Sequence, residues 1–516
     1  MAHVAIGETH AEIAPLNVSN YFACARAHLI DLASTLVLLF CASIAAGRVW
    51  RFPFDDEIYT LARTEMRSAL RLLVVFPRTG GDIHPPLPHL LFYGLRHLGL
   101  SDAGMRLCSL AMTALALVLF QLLALTWITQ RHGSAASLPI RLIAVLLFGL
   151  TPLAIGLGDA LRWYPPFALA IALFVTLYLA GNVVAQLCSG LVLGLAASID
   201  LFAAIIVPPF MLYRYGLQRR FCWSFDLTFW LLAGLGGSLG FYTAYWLFAD
   251  RLALVLTTFD TGIVQVILTE TLGFFGGHAL GVGQAWLVVP TVVIFAIAAY
   301  SEIDRTQPGK PAHLVLLMLG AGALMVLAGF ALPRAFLYLA PTVAVLLTLF
   351  FDRQIRAGHS ARTLVLVTLV LVTSVSTVAN VNFGTHPFKR NAVIPYQSIL
   401  DFIADNEKGH VLVVSTDPVM PWLLEKAGGD RCIYFFSKAW RCLAPAQRFD
   451  TIFVIAGHTG EDEARMRQFK SFLADITAGR SKVATLRAGR DEDAALKTRL
   501  TGVHLDEPIL TVDYYQ

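Results

Sequence analysis

Apolar runs the length of a membrane crossing recur along this chain, and no other feature constrains its fold as much. A helix rises 1.5 Å per residue, so about 20 apolar residues cross the hydrocarbon core of a bilayer, and fewer suffice where protein shields the helix. Such runs fall at 28–47, 105–127, 141–158, 165–181, 185–198, 201–213, 226–248, 284–300, 312–328, 335–350 and 362–380. They predict an all-α polytopic membrane protein of about eleven transmembrane helices. The fifth and sixth runs are short and meet near Asp200. Read as one long tilted helix, they would reverse the side of every later loop. Composition agrees with the membrane reading: of 516 residues, 57% are apolar and 14% charged, against roughly 25% charged in an average soluble domain. A soluble chain of that make-up would leave large apolar patches in water. Disorder, a collagen-like chain and a small disulfide scaffold are excluded on the same ground.

Basic residues orient the spans. With the N-terminus inside, the cytoplasmic loops carry Arg131 and Arg141, then Arg214, Arg219 and Arg220, then Arg305 and Lys310, then Arg353, Arg356 and Arg362. That is the positive-inside pattern, and it favours splitting 185–213 into two spans. The first apolar run shows no clear processing site and follows about 25 fairly polar residues, so it reads as a retained helix rather than a cleaved signal. The organisation expected is a cytoplasmic segment 1–27, a membrane core 28–384 with outer loops 48–104 and 249–283, and a soluble domain 385–516 on the non-cytoplasmic side.

The tail differs in kind. Residues 386–516 hold 17 of the 39 Lys/Arg and 17 of the 35 Asp/Glu, so the net charge of +4 belongs to the membrane portion and implies no nucleic-acid partner. Runs at 410–415, 432–436 and 451–457 read as buried strands, and 417–426 and 461–478 as helices, the latter with Met466, Phe469, Phe472 and Leu473 on one stripe. A small α/β domain follows. None of its helices opens on a glycine-rich phosphate loop. Of seven scattered cysteines, only Cys432 and Cys442 lie in this tail, where an oxidising compartment would let them pair.

Three clusters carry possible chemistry. Asp55, Asp56 and Glu57 stand just beyond the first span. Adjacent carboxylates repel, which suits one of them to act as a general base on a hydroxyl or amine. The alternative is a helix start, where acidic residues meet the positive end of the dipole. Asp82 and His84 precede Pro85 and Pro86 on a stiff turn, able to position an acceptor or ligate a metal, or simply to lead into a helix. Asp159, Arg162, Trp163 and Tyr164 close a tight outer hairpin. Arg162 there either reaches lipid headgroups or clamps a phosphate, and Arg334 holds a comparable outer position several spans later. Weaker features are Asp200, which marks a helix break, and Asp260, Glu270 and His278 in the loop 249–283, which has the makings of a lid.

The order of "FDDEIY", "GGDIHPPLPHLLFY", an R-x-Y after the third span and "PRAFLYLAP" resembles the bacterial GT-C membrane glycosyltransferases of the dolichyl-phosphate-mannose protein mannosyltransferase and aminoarabinose transferase superfamily, over roughly 28–400. The resemblance implies a GT-C fold and transfer of a hexosyl or pentosyl group from a polyprenyl-phosphate donor to an envelope lipid, glycan or protein on the periplasmic side, usually with inversion. It implies Asp56 as the base, with Glu57 its acidic partner and Asp55 one register away. Asp82 and His84 would shape the catalytic or acceptor pocket. Arg162, Tyr164 and Arg334 would bind the donor phosphate, with Asp159, Glu270 and His278 lining the pocket. The chain departs from the family at "SIDLF" (198–202), where members often carry a His or Tyr-rich pair. No cofactor is required by these residues. A divalent ion bridging phosphate and carboxylates stays open, although no compact ligand set demands one. A multispan transporter or flippase is the alternative class, against which no pair of matching broken helices is evident.

Overall fold

A computed structural model describes residues 18–45, 55–66, 68–70, 72–73, 84–180, 182–250, 271, 273–276, 285–305, 310–327, 337–382, 396–417, 419–436, 438–442, 449–457, 463–488 and 510–516. Helix α1 (Val18–Ala27) runs into α2 (Leu29–Ala45) without losing its backbone ladder, since His28 and Leu32 both donate one turn back at 3.0 Å. Then come α3 (Asp55–Thr64), α4 (Leu87–His97), α5 (Asp102–His132), α6 (Leu138–Gly149), α7 (Pro152–Leu157), α8 (Tyr164–Leu179) and α9 (Val183–Ile199). Ser101 caps α5 by accepting the Gly104 N–H at 3.1 Å, and Gly133, in the left-handed region, ends it. Prolines in the first turns of α6, α7 and α8 sit where a missing N–H costs nothing. Beyond Asp200, a 3₁₀ turn (Leu201–Ile205), α10 (Val207–Met211) and a π turn (Leu212–Leu217) form one irregular rod. The helical part closes with α11 (Trp223–Gly236), α12 (Ser238–Asp250), α13 (Ala285–Arg305), α14 (Pro311–Leu327), α15 (Ala340–Arg356) and α16 (Ser360–Asn382).

The expected count of eleven spans is not met. Among the described residues, four helical segments are long and apolar enough to cross a membrane: Asp102–His132, Leu138–Leu157, Trp286–Ile303 and Ser360–Ala379. The pair α11 and α12, bent by 62°, makes a fifth if taken as one span. Length is the reason. Leu29–Ala45, Tyr164–Leu179, Val183–Ile199, Leu201–Leu217 and Pro311–Met325 are apolar but no longer than 17 residues, about 26 Å against a core of about 30 Å. Helix α15 also has 17 residues and ends on Asp352, Arg353 and Arg356. The expected break at Asp200 is present and separates two segments.

Helix α5 is the central element, packed against α8, α15, α2 and α6. Large apolar side chains such as Ile30, Val37, Leu231, Leu235, Leu324, Leu364 and Val375 stay exposed on the outer helices, as a lipid-facing surface requires. Helices α9 and α11 meet backbone to backbone. A Cβ at Gly194 would lie 2.1 Å from the Ala233 carbonyl oxygen, and one at Gly236 would lie 2.4 Å from that of Leu191. Small residues at such a seam let helices approach closely. Gly194→Ala is therefore expected to destabilise by roughly 1–3 kcal/mol through overpacking. Gly234→Ala, whose Cβ meets nothing within 4 Å, should leave thermal unfolding in detergent unchanged. Equal melting temperatures for the two variants would contradict the close seam.

Many of the arginines read as positive-inside residues are committed to carboxylates. Arg141 makes a forked pair with Asp31 at 2.7 and 3.0 Å, Arg131 and Arg353 both pair with the fully buried Glu302, Arg214 meets Asp226 at 2.7 Å, and Arg356 meets Asp352. All but the last, which lies within α15, tie separate elements together.

The tail is a mixed six-stranded sheet with helices. Helix α17 (Tyr396–Asn406) precedes β1 (Val411–Ser415), α18 (Val419–Ala427), β2 (Arg431–Phe435), β3 (Lys438–Arg441), β4 (Thr451–Gly457), α19 (Glu463–Thr477), β5 (Lys482–Ala488) and β6 (Leu510–Tyr515), in the order β3-β2-β1-β4-β6-β5. Strands β2, β1 and β4 are parallel, and the other three pair antiparallel. Cys432 and Cys442 form a disulfide. Asp417 caps α18 by accepting the N–H groups of Val419 and Met420, each at 2.9 Å. This sheet does not stand apart. Its core, including Val413, Met420, Leu424 and Phe453, is continuous with Ile58 and Leu61 of α3, Phe92 of α4, Met105 of α5 and Leu161.

Candidate active site

Helix α3 begins at Asp55, so Asp55, Asp56 and Glu57 form its first turn, where acidic residues oppose the helix dipole. Its apolar residues Ile58 and Leu61 are buried against the tail, and Glu65 just beyond it pairs with Lys426 of α18 at 2.9 Å. Arg63 on the same helix donates to His89 Nε2 of α4 at 3.1 Å. Glu57 is wholly buried. Its Oε1 accepts the Leu161 N–H at 3.0 Å and its Oε2 faces Arg106 Nη2 at 3.2 Å. One carboxylate thus fastens the start of α3 to α5 and to the hairpin 158–163.

That hairpin is itself tightly held. Gly158 N–H donates to the Ala154 carbonyl at 2.7 Å, and the Gly158 carbonyl accepts from Thr113 at 3.0 Å. Asp159, Arg162, Trp163 and Tyr164 are all buried. Trp163 lies 4.5 Å from the Tyr164 ring, 5.7 Å from Phe167 and 5.9 Å from Phe202, between ring centroids. Its other neighbour is His84, at 5.0 Å.

His84 links the loop to a distant element. Its Nδ1 lies 2.5 Å from Oδ2 of Asp200, 116 residues away. The other Asp200 oxygen accepts the Phe202 N–H at 2.7 Å and so starts the 3₁₀ turn. Asp200 is 1% exposed, and the buried Tyr338, edge-on to Phe167 at 5.1 Å, lies within its electrostatic reach. A continuous path therefore runs from α3 through Glu57, Leu161 and Trp163 to His84 and Asp200. Chemically it joins an acidic helix start, a buried arginine hairpin and a carboxylate–imidazole pair, the groups a proton-transfer and phosphate-binding site would use.

No family model and no curated protein matches the sequence. Among solved structures, ArnT from Cupriavidus metallidurans is similar over nearly the whole length. Its apo state and its complex with undecaprenyl phosphate each align at a TM-score of 0.54 and 12% identity, covering 95% of this chain and 98% of ArnT. The chain has the ArnT fold. That likeness extends to ArnT, and the dolichyl-phosphate-mannose branch of the expected superfamily gains no such support.

Of the residues singled out in the sequence, the ArnT-like fold brings Glu57, His84, Asp159, Arg162 and Tyr164 into one region. The side chains of Asp55 and Asp56, together with Asp82, Glu270, His278 and Arg334, lie outside the described residues. Among the described residues, no group of three His, Cys, Asp or Glu side chains is arranged to hold a metal ion. Sequence reasoning missed Arg106, Arg63 and His89, and noted Asp200 only as a break. Arg106 carried one signal, a charge at the head of an apolar run, which asks for a partner.

Proposed function

We propose that this protein transfers a sugar from a polyprenyl-phosphate carrier to an envelope acceptor at the periplasmic face of a bacterial inner membrane, by a single inverting displacement. The observation that carries this reading is the near full-length correspondence with ArnT, a protein seen with undecaprenyl phosphate bound. The reading supposes that shorter apolar helices enter the bilayer beside the four or five long ones, with the N-terminus cytoplasmic. Shorter helices are sufficient where neighbours shield them. A disulfide in the tail supports an oxidising outer compartment for that domain.

In this reading the acceptor hydroxyl attacks C1 of the sugar as the C1–O bond to phosphate breaks. Asp56 takes the acceptor proton, with Asp55 and Asp82 completing the acidic surround. Charge gathers on the leaving phosphate, and Arg162 and Arg334, aided by Tyr164, stabilise it. His84 and Asp159 line the pocket, and Glu270 and His278 serve the acceptor side. Glu57 has both oxygens engaged, so its part is to hold α3 in place for Asp56.

The test is transfer by the full-length protein in lipid nanodiscs, using a panel of polyprenyl-phosphate hexoses and pentoses with bacterial envelope extract as acceptor source. Transfer of label from one donor class, with release of polyprenyl phosphate, is the expected result. No transfer and no binding of any polyprenyl phosphate would overturn the assignment.

A further inference from the structure

The turn between the irregular rod and α11 carries charges that sugar transfer does not use. Arg131, Arg141, Arg214, Arg353 and Arg356 are committed to carboxylates. Arg219 and Arg220 are not: both are exposed, and neither guanidinium meets a carboxylate among the described residues. Next to them in the chain, Phe221 is 59% and Trp223 76% exposed, and the two rings stand 5.3 Å apart between centroids. Trp223 opens α11, which with α12 makes a candidate membrane span. The basic pair therefore sits at the end of an apolar helix, the level at which hydrocarbon gives way to headgroups.

The turn is firmly built. Asp226, itself buried, accepts from Arg214 Nε at 2.7 Å and the Tyr215 hydroxyl at 3.0 Å through one oxygen, and from the Cys222 N–H at 2.7 Å through the other. The Arg214 carbonyl accepts the Arg220 N–H at 3.1 Å, and the Arg214 guanidinium lies 4.3 Å from the centre of the Phe225 ring. The internal charges thus neutralise each other, and the two outer ones stay uncompensated. Arg219 also has a φ of 51°, a left-handed conformation that glycine adopts more easily. An arginine held there keeps its charge at a backbone cost.

We propose that residues 219–223 bind the headgroup phosphate of an anionic phospholipid, with Arg219 and Arg220 on the phosphate oxygens and Phe221 and Trp223 in the acyl boundary beside it. Forked guanidinium donors match phosphate oxygens. Two adjacent positive charges without an internal counterion call for a ligand with net negative charge. A zwitterionic headgroup brings its own cation and is the poorer fit. The exposed rings select a lipid over a soluble anion, since they have no apolar partner except the membrane. The site stands on the membrane character of the chain alone, whatever the protein transfers.

Native mass spectrometry of the full-length protein in detergent, titrated with phosphatidylglycerol or phosphatidylcholine, tests it. Wild type should retain phosphatidylglycerol in preference to phosphatidylcholine. Arg219→Gln with Arg220→Gln should weaken the first phosphatidylglycerol bound by about 30-fold, as expected for two basic residues at an anionic headgroup, and leave phosphatidylcholine unchanged. Each single variant should lose about fivefold. Arg362→Gln removes one exposed charge at the start of α16 and should stay within twofold of wild type. A loss there equal to that of Arg219→Gln would show diffuse charge attraction and overturn the site. Arg219→Gly separates charge from backbone: its melting temperature in phosphatidylcholine should hold or rise, while its phosphatidylglycerol affinity falls as in Arg219→Gln. Full affinity in Arg219→Gly, or a double variant within threefold of wild type, would sink the proposal. So would soluble glycerophosphate binding as tightly as the lipid. Should the double variant fail to purify as a monodisperse protein, the single variants decide on the same criterion: affinity within twofold of wild type in both overturns it.

Discussion

Asp56→Asn is expected to lower sugar transfer by roughly 10²–10⁴-fold, the range for removing a general base, while binding of the polyprenyl-phosphate donor persists. The substitution keeps size and polarity in the first turn of α3 and removes only the ability to take a proton. Donor affinity should hold, since the proposed phosphate ligands are arginines on other segments. The measurement is single-turnover transfer beside donor binding, in wild type and variant reconstituted alike. Equal turnover would remove Asp56 from the mechanism and move attention to Asp55 or Asp82.

Arg106→Ala carries the largest expected loss of stability. It leaves the buried Glu57 carboxylate without the guanidinium 3.2 Å away, and breaking a buried pair from one side typically costs about 3–5 kcal/mol. Removing both charges behaves differently. Glu57→Gln combined with Arg106→Met keeps an acceptor for the Leu161 N–H and buries no charge, so at least half the loss should return. Thermal unfolding in detergent, followed by size-exclusion fluorescence, reads both. A double variant as unstable as Arg106→Ala would show that the pair does more than neutralise itself.

Local order was readable where its cause is local. The parallel strands β1, β2 and β4 are continuous apolar runs, and α18 and α19 fall within two residues of the segments read from the sequence. Strands β3, β5 and β6 were missed. In β5, Lys482 to Arg487 are largely exposed with only Ala488 buried, so the apolar period is faint and the strand exists through its pairing with β6. The same holds for the site. "DDE" and "DIHPP" announce themselves by composition, but the partners that fix them, Arg106 for Glu57 and Asp200 for His84, stand 49 and 116 residues away. No periodicity encodes such distances. The span count failed for a related reason: hydropathy marks a helix as apolar, whereas its length in the fold depends on caps and breaks such as Asp200.

The shared core of α3 and the tail sets an order on biogenesis. Helix α3 leaves the ribosome roughly 350 residues before α18, which covers Ile58 and Leu61, a delay on the order of half a minute at ordinary elongation rates. Until then the apolar side of α3 has only Phe92, Met105 and Leu161 of that core to pack against. A prematurely terminated chain would keep the Glu57 and His84 contacts within the helical part but lose the tail's half of that core. Closure of that shared core therefore waits on completion of synthesis, and a truncated product would leave part of it uncovered.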